Sequence, residues 1–142
     1  MPTIAKKEFS KHQPEQIYQL VNDIRSYKKF VPWCAESLIL DGELDHWMIA
    51  KLVFDFHGIK HGFTTKNTLK PHSGIKIELV DGPFEHLHGN WQFLPAEGGC
   101  NICLNLDYDF NQHWLSSVFE PAFAQISNLL VNTFKERADA VY

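Results

Sequence analysis

The 142-residue sequence contains no run of about 18 apolar residues, the length that reads as a membrane-spanning helix. Its opening, MPTIAKKEFS, lacks the apolar stretch of a secretory signal. Cysteine is scarce and odd in number, three in all, which without such a signal fits a reducing compartment. A cytoplasmic location is expected, with room for a peripheral place at the inner membrane and transient membrane contact. Positive charge is also short. A formal net charge of −4 gives no surface-wide footprint for nucleic acid, although it leaves a local basic patch open, and DNA is not an expected partner.

Catalytic signatures are missing too. No glycine-rich phosphate loop occurs, and no Ser or Cys sits in a strained glycine-flanked turn with His and an acid at hand. Asp41, Asp45, Asp55, Asp81, Asp107 and Asp109 fall at turns or on alternating strand faces, which favours solvation over paired acid and base roles. CNIC, residues 100–103, has the two-residue gap of redox and zinc motifs. It opens a strand rather than a helix and has no second ligand pair, and residues three apart on a strand point to opposite faces. His86 and His88 share a strand face with Asn90 and Gln92, which reads as a solvent-facing polar stripe; His57 and His61 span a hairpin turn. With no third ligand in view, no metal site is assigned. The chain is not expected to be an enzyme.

What is present is a globular composition, 44% hydrophobic and 21% charged, with a heavy aromatic load of eleven Phe, four Trp and four Tyr. Such rings either build a bulky core or line a cavity for a flat apolar molecule. The length suits one domain spanning residues 1–142.

The periodicity changes twice along the chain. A first strand is expected from Thr3 to Phe9. An amphipathic helix follows, with Ile17, Leu20, Val21 and Ile24 on one side and Pro14 in its first turn. A second short helix over Tyr27 to Phe30 must end at Val31-Pro32, because proline disfavours helix at the residue before it. From Cys34 to Phe110 the period is two, and about six antiparallel strands are expected, with turns at Asp41-Gly42, His57-Gly58, PHSG and DGP. Cys100, Ile102, Leu104, Leu106, Tyr108 and Phe110 share one strand face. In the strand near residues 44–56 both registers, Met48 with Leu52 and Trp47 with Ile49, carry apolar residues. From about His113 to Tyr142 helical spacing returns, with Leu115, Val118, Phe119, Phe123, Ile126, Leu130 and Phe134 on one broad side and Pro121 kinking the helix or marking its first turn. A sheet this long must curve, and the last helix is the element long enough to cover its concave face.

Two stretches stand out, NDIRSYKKFVPWC and GPFEHLHGNWQF, residues 22–34 and 82–93. In the second, Gly89 interrupts a strand where a bulge or a close approach is expected. In this order, with the long helix after them, the two resemble the coenzyme Q-binding START-like family, also labelled polyketide cyclase/dehydrase, whose bacterial members include a ribosome association toxin. The resemblance implies an α+β helix-grip fold: a curved antiparallel sheet around a long C-terminal helix, with two short helices after the first strand.

It also implies a tunnel for an apolar small molecule or lipid. Tyr27, Phe30, Val31, Pro32, Trp33 and Cys34 would form one motif near its end, and Phe84, Leu87, Gly89, Trp91 and Phe93 the other. The expected ligand-binding set is Phe30, Val31, Pro32, Trp33, Phe84, Leu87, Trp91, Phe93, Leu106, Tyr108, Phe119, Phe123, Ile126 and Leu130. Non-enzymatic binding of ubiquinone or another isoprenoid lipid is the first expectation, with no cofactor required. The alternative is association with the large ribosomal subunit through Arg25, Lys28 and Lys29, the centre of an N-terminal basic group that also holds Lys6, Lys7 and Lys11.

Overall fold

In the computed structural model, which describes residues 3–111 and 119–142, the chain runs β1 (Thr3–Ser10), α1 (Pro14–Asn22), a 3-10 helix (Ile24–Lys29), β2 (Cys34–Glu43), β3 (Trp47–Phe56), β4 (Ile59–Lys70), β5 (Gly74–Asp81), β6 (Phe84–Ala96), β7 (Gly99–Phe110) and α2 (Phe119–Val141). The strands form a single antiparallel sheet in the order β1-β7-β6-β5-β4-β3-β2. It is therefore a meander from β2 to β7, with β1 added beside β7 and β1 and β2 at the two edges. This is the helix-grip arrangement. Leu115, Val118 and His113 lie outside the described residues.

Local chemistry accounts for most element ends. Pro14 opens α1, where its missing N–H costs nothing, and the Gln13 amide donates to Gln16 Oε1 at 2.9 Å. Pro121 lies in the first described turn of α2. Four register shifts interrupt the ladders, at Cys34/Glu36, Ile39/Asp41, Thr64/Thr65 and Phe84/His86. Each adds a residue to one strand and increases its local twist, so these bulges supply the curvature that lets the sheet close on α2.

The period-two reading fits β7, whose Cys100, Ile102, Leu104, Leu106, Tyr108 and Phe110 are all buried. In β3 the even register wins, with Met48, Ala50 and Phe54 turned inward. One sequence expectation needs correction. The hairpin between β2 and β3 turns at residues 44–46, with Asp45 in the left-handed region, and not at Asp41-Gly42. Gly42 instead pairs with Met48, and a side chain there would sit 2.9 Å from the Trp47 carbonyl, so the glycine serves a close strand approach. Gly89 stays in regular register, opposite Leu106 and Ile77, and of the two outcomes expected there the close approach is the one found, a β-carbon there falling 2.0 Å from the Asn105 carbonyl oxygen; the β6 bulge lies at Phe84/His86. His57-Gly58 does form its hairpin turn, both residues having positive φ.

Candidate functional site: an apolar cavity under the C-terminal helix

α2 buries Phe119, Ala122, Phe123, Ile126, Ser127, Val131, Phe134 and Ala138, a stripe at three-and-four spacing that faces the concave sheet. The contact is not continuous. Between helix and sheet lies a cavity of about 80 Å³. Phe123, Ile126, Ser127 and Leu130 form its helical wall. Ala50, Leu52, Phe54, Phe63, Thr65 and Asn67 come from β3 and β4, and Ile77, Leu87, Trp91, Leu104 and Leu106 from β5 to β7. Ile24, Tyr27 and Val31 close it from the side of the 3-10 helix. Leu52, Ile77 and Leu130 are the partly exposed apolar members and mark the side on which it approaches solvent.

Of the fourteen residues expected around a ligand, Val31, Leu87, Trp91, Leu106, Phe123, Ile126 and Leu130 line this space. Phe30, Pro32, Trp33, Phe84, Phe93, Tyr108 and Phe119 do not. Phe84, Tyr108 and Phe119 join Phe63, Phe110 and Phe123 in a cluster of rings, with Phe84–Phe110 at 4.6 Å and Tyr108–Phe123 at 4.9 Å. That cluster fills the space at one end of the cavity. Phe93 packs beside Trp91 and against Tyr18 of α1 at 6.1 Å, filling the space at another. The aromatic load thus does both things at once: most rings pack against rings, and a remainder faces open space.

Beyond Val31, which lines the cavity, the apolar helix exit packs against neighbouring elements. Val31 to Cys34 is a turn, closed by Cys34 N–H donating to the Val31 carbonyl at 3.2 Å, with Trp33 in the left-handed region. The Trp33 carbonyl accepts from Asp55 N–H at 2.9 Å and its ring meets Phe56 at 5.0 Å. FVPWC therefore fastens the 3-10 helix to β3. Phe30 stands between Phe134, at 5.4 Å, and the Arg137 guanidinium, 4.9 Å from its ring.

The cavity also contains polar groups that alternation alone does not flag. Thr65 and Asn67 follow Phe63 on the inward face of β4, both buried, and Thr65 Oγ1 donates to Asn67 Oδ1 at 2.9 Å. Ser127 is on the helical wall. With its oxygen accepting from Thr65, Asn67 has its amide N–H groups to offer a ligand acceptor. Tyr27 is the single titratable side chain among the described lining residues. Its hydroxyl donates to the Val21 carbonyl, and burial, then Asp23 and Cys34, push it well above the ordinary tyrosine range. The described wall offers apolar surface and hydrogen bonds.

The three thiols are free and buried. Cys100 faces the core and Cys103 the opposite side of β7, as their spacing requires. Burial pushes Cys34 and Cys100 up to about 11. A thiol reagent at pH 8 is expected to label them far more slowly in the native chain than after denaturation. The sign of the linkage follows: both thiols favour the folded state fully below their unfolded pKa near 9, and that contribution is lost as pH rises toward 11. Unfolding midpoints measured across that window should fall.

On the surface, Arg25, Lys28 and Lys29 are exposed along the 3-10 helix and form no ion pair among the described residues. Ser37 anchors that helix to β2: its Oγ accepts from Lys28 N–H at 3.3 Å and donates to the Arg25 carbonyl at 3.1 Å. Lys6 and Lys7 sit on β1, the other edge strand of the sheet, so the N-terminal basic group is divided. Arg137, reaching Phe30 from α2, adds a cation that linear reading does not place here. No described helix is long and apolar enough to cross a membrane.

Comparison with known proteins adds four findings. Residues 10–135 match the family model described as polyketide cyclase / dehydrase and lipid transport. The Escherichia coli K12 protein named ribosome association toxin RatA is 37% identical over 143 aligned residues, covering 100% of this chain and 90% of its own. The mitochondrial coenzyme Q-binding protein COQ10 of Dictyostelium discoideum is 27% identical, covering 98% of this chain and 71% of its own. In fold, a START superfamily protein from Mycobacterium smegmatis superposes with a TM-score of 0.80 at 16% identity, over 99% of both chains.

Proposed function

We propose a non-enzymatic binding function for this chain, which belongs to the polyketide cyclase / dehydrase and lipid transport family. Its ligand is a small apolar molecule carrying a hydrogen-bond acceptor, such as ubiquinone or a related isoprenoid lipid. The observation that carries this reading is the cavity itself, walled by apolar side chains with Thr65 and Asn67 set into one side. An empty space of about 80 Å³ costs about 2 kcal/mol at 24 cal/mol per Å³, and an occupant would relieve that cost. Each buried methylene would add roughly 0.8 kcal/mol.

The volume also sets a condition. Pockets for drug-sized ligands span about 300–1,000 Å³, so a quinone with its tail enters only if the partly exposed Leu52, Ile77 and Leu130 move apart. COQ10, by its name a coenzyme Q binder, supports the ligand class. Solvent extraction of purified protein, followed by mass spectrometry, is expected to recover a quinone or isoprenoid lipid. Repeated recovery of none, with no uptake of added quinone, would count against the reading. In the Asn67→Leu variant, quinone affinity is expected to drop by roughly fivefold to tenfold, the worth of one hydrogen bond.

A second reading concerns the outside. The likeness to RatA extends over the whole chain, and it favours association with the large ribosomal subunit through Arg25, Lys28, Lys29 and Arg137. The two readings use different parts of the molecule and are compatible. Sedimentation with large subunits at low salt should be seen, and should weaken steeply as salt rises. Charge reversal at Lys28 and Lys29 together should remove most of it; no co-sedimentation at low salt would eliminate this reading.

A further inference from the structure

The convex face of the sheet holds a constellation that neither the cavity nor the basic surface uses. Strict alternation would put His86 on the same face as the inward Phe84. The bulge at Phe84/His86 inserts Glu85 and turns His86 to the outer face, beside His88. Leu87 between them remains buried. On the neighbouring strand, Asp107 lies directly opposite His88. Its Oδ1 is 3.3 Å from His86 Nε2 and its Oδ2 is 3.6 Å from His88 Nε2. One ligand atom from each of the three residues lies within 4.8 Å of the other two.

We propose that His86, His88 and Asp107 form a surface site for a divalent first-row metal ion of borderline softness, with Zn²⁺ the best match. The geometry carries this. In a tetrahedral zinc site with bonds of about 2.1 Å, neighbouring ligand atoms stand about 3.4 Å apart, close to the two histidine–carboxylate separations already present, and the third pair lies within 4.8 Å. Two imidazoles and one carboxylate suit zinc in kind as well as in number, and three protein ligands leave a fourth position to water or to a group from a partner. The side chains are 30%, 60% and 37% exposed in the order His86, His88, Asp107, so an ion reaches them without the core opening. Strand pairing fixes both backbones, and the site thus needs only side-chain rotation to close. Linear reading missed it because Asp107 is 19 residues from His88 and meets it only across the β6–β7 ladder.

The test uses the whole chain, stripped with a chelator and titrated with Zn²⁺ against a chromophoric indicator. Co²⁺ titrated in parallel reports geometry through its visible absorption. Saturable uptake of a single equivalent is expected, with His86→Gln, His88→Gln and Asp107→Asn each weakening it by roughly tenfold or more. His57→Asn, on the hairpin between β3 and β4, should leave it unchanged. Zn²⁺ should also raise the thermal midpoint of the parent and not that of Asp107→Asn. The metal-free midpoints of the variants check that the fold is intact. No saturable uptake, or uptake equally strong in His88→Gln and Asp107→Asn, overturns the site.

Discussion

Replacing Gly89 by alanine is expected to lower the thermal unfolding midpoint by roughly 10 °C or more, although it adds only one methyl group. Gly89 lies on the inward face of β6, between Leu87 and Trp91, where the strand runs tight against β7. A β-carbon built there would sit 2.0 Å from the Asn105 carbonyl oxygen and 2.9 Å from the Leu106 α-carbon. Both are backbone atoms at the centre of the sheet, so no rotamer change relieves the clash. The β6–β7 ladder must separate, and a loss of about 3 kcal/mol or more follows. The same shift would displace Leu106, Leu87 and Trp91, three members of the cavity wall, so ligand uptake should fall with stability. A midpoint within a few degrees of the parent would mean that the approach of the two strands is looser than described.

Phe134→Ala is expected to cost about 3–5 kcal/mol, the range for removing a fully buried ring. Phe134 is 0% exposed and meets Tyr27 at 5.2 Å, Phe30 at 5.4 Å and Trp91 at 5.4 Å, all edge-on. It joins α2 to the 3-10 helix on one side and to the sheet on the other. Its removal should therefore loosen the basic segment as well as the core. Amide exchange near residues 24–31 should quicken more than exchange at the far side of the sheet, in β4. Chemical denaturation gives the energy. A loss under about 1 kcal/mol would show that the neighbouring rings collapse into the vacancy.

Much of this architecture can be read from residue order, and what cannot has a physical reason. β7 announces itself because Cys100, Ile102, Leu104, Leu106, Tyr108 and Phe110 are all buried while the other face, Gly99 and Cys103 apart, is more exposed. α2 does so through the spacing of Phe119, Phe123, Ile126 and Phe134. Turns are less secure, because glycine serves two purposes. At His57-Gly58 it permits positive φ, whereas Gly42 makes room for a neighbouring strand.

The site is harder still. Trp33 and Phe93 are as apolar as Trp91, but which ring faces open space depends on the curvature set by four bulges, and bulges have no dependable sequence signal. Thr65 and Asn67 look like the outer face of a polar strand in TTKNTLK. They turn inward because Phe63 and Leu69 share their face.

The claim on which the functional account depends is that the space between α2 and the sheet admits a ligand. Methyl-resolved NMR during titration with a short-tailed ubiquinone analogue tests it most directly. Shifts are predicted at Ala50, Leu87, Leu104, Ile126 and Leu130, which line the cavity, with the surface methyls of Leu40 and Leu44 unmoved. Shifts confined to Leu40 and Leu44, or none up to the solubility limit of the analogue, would contradict it.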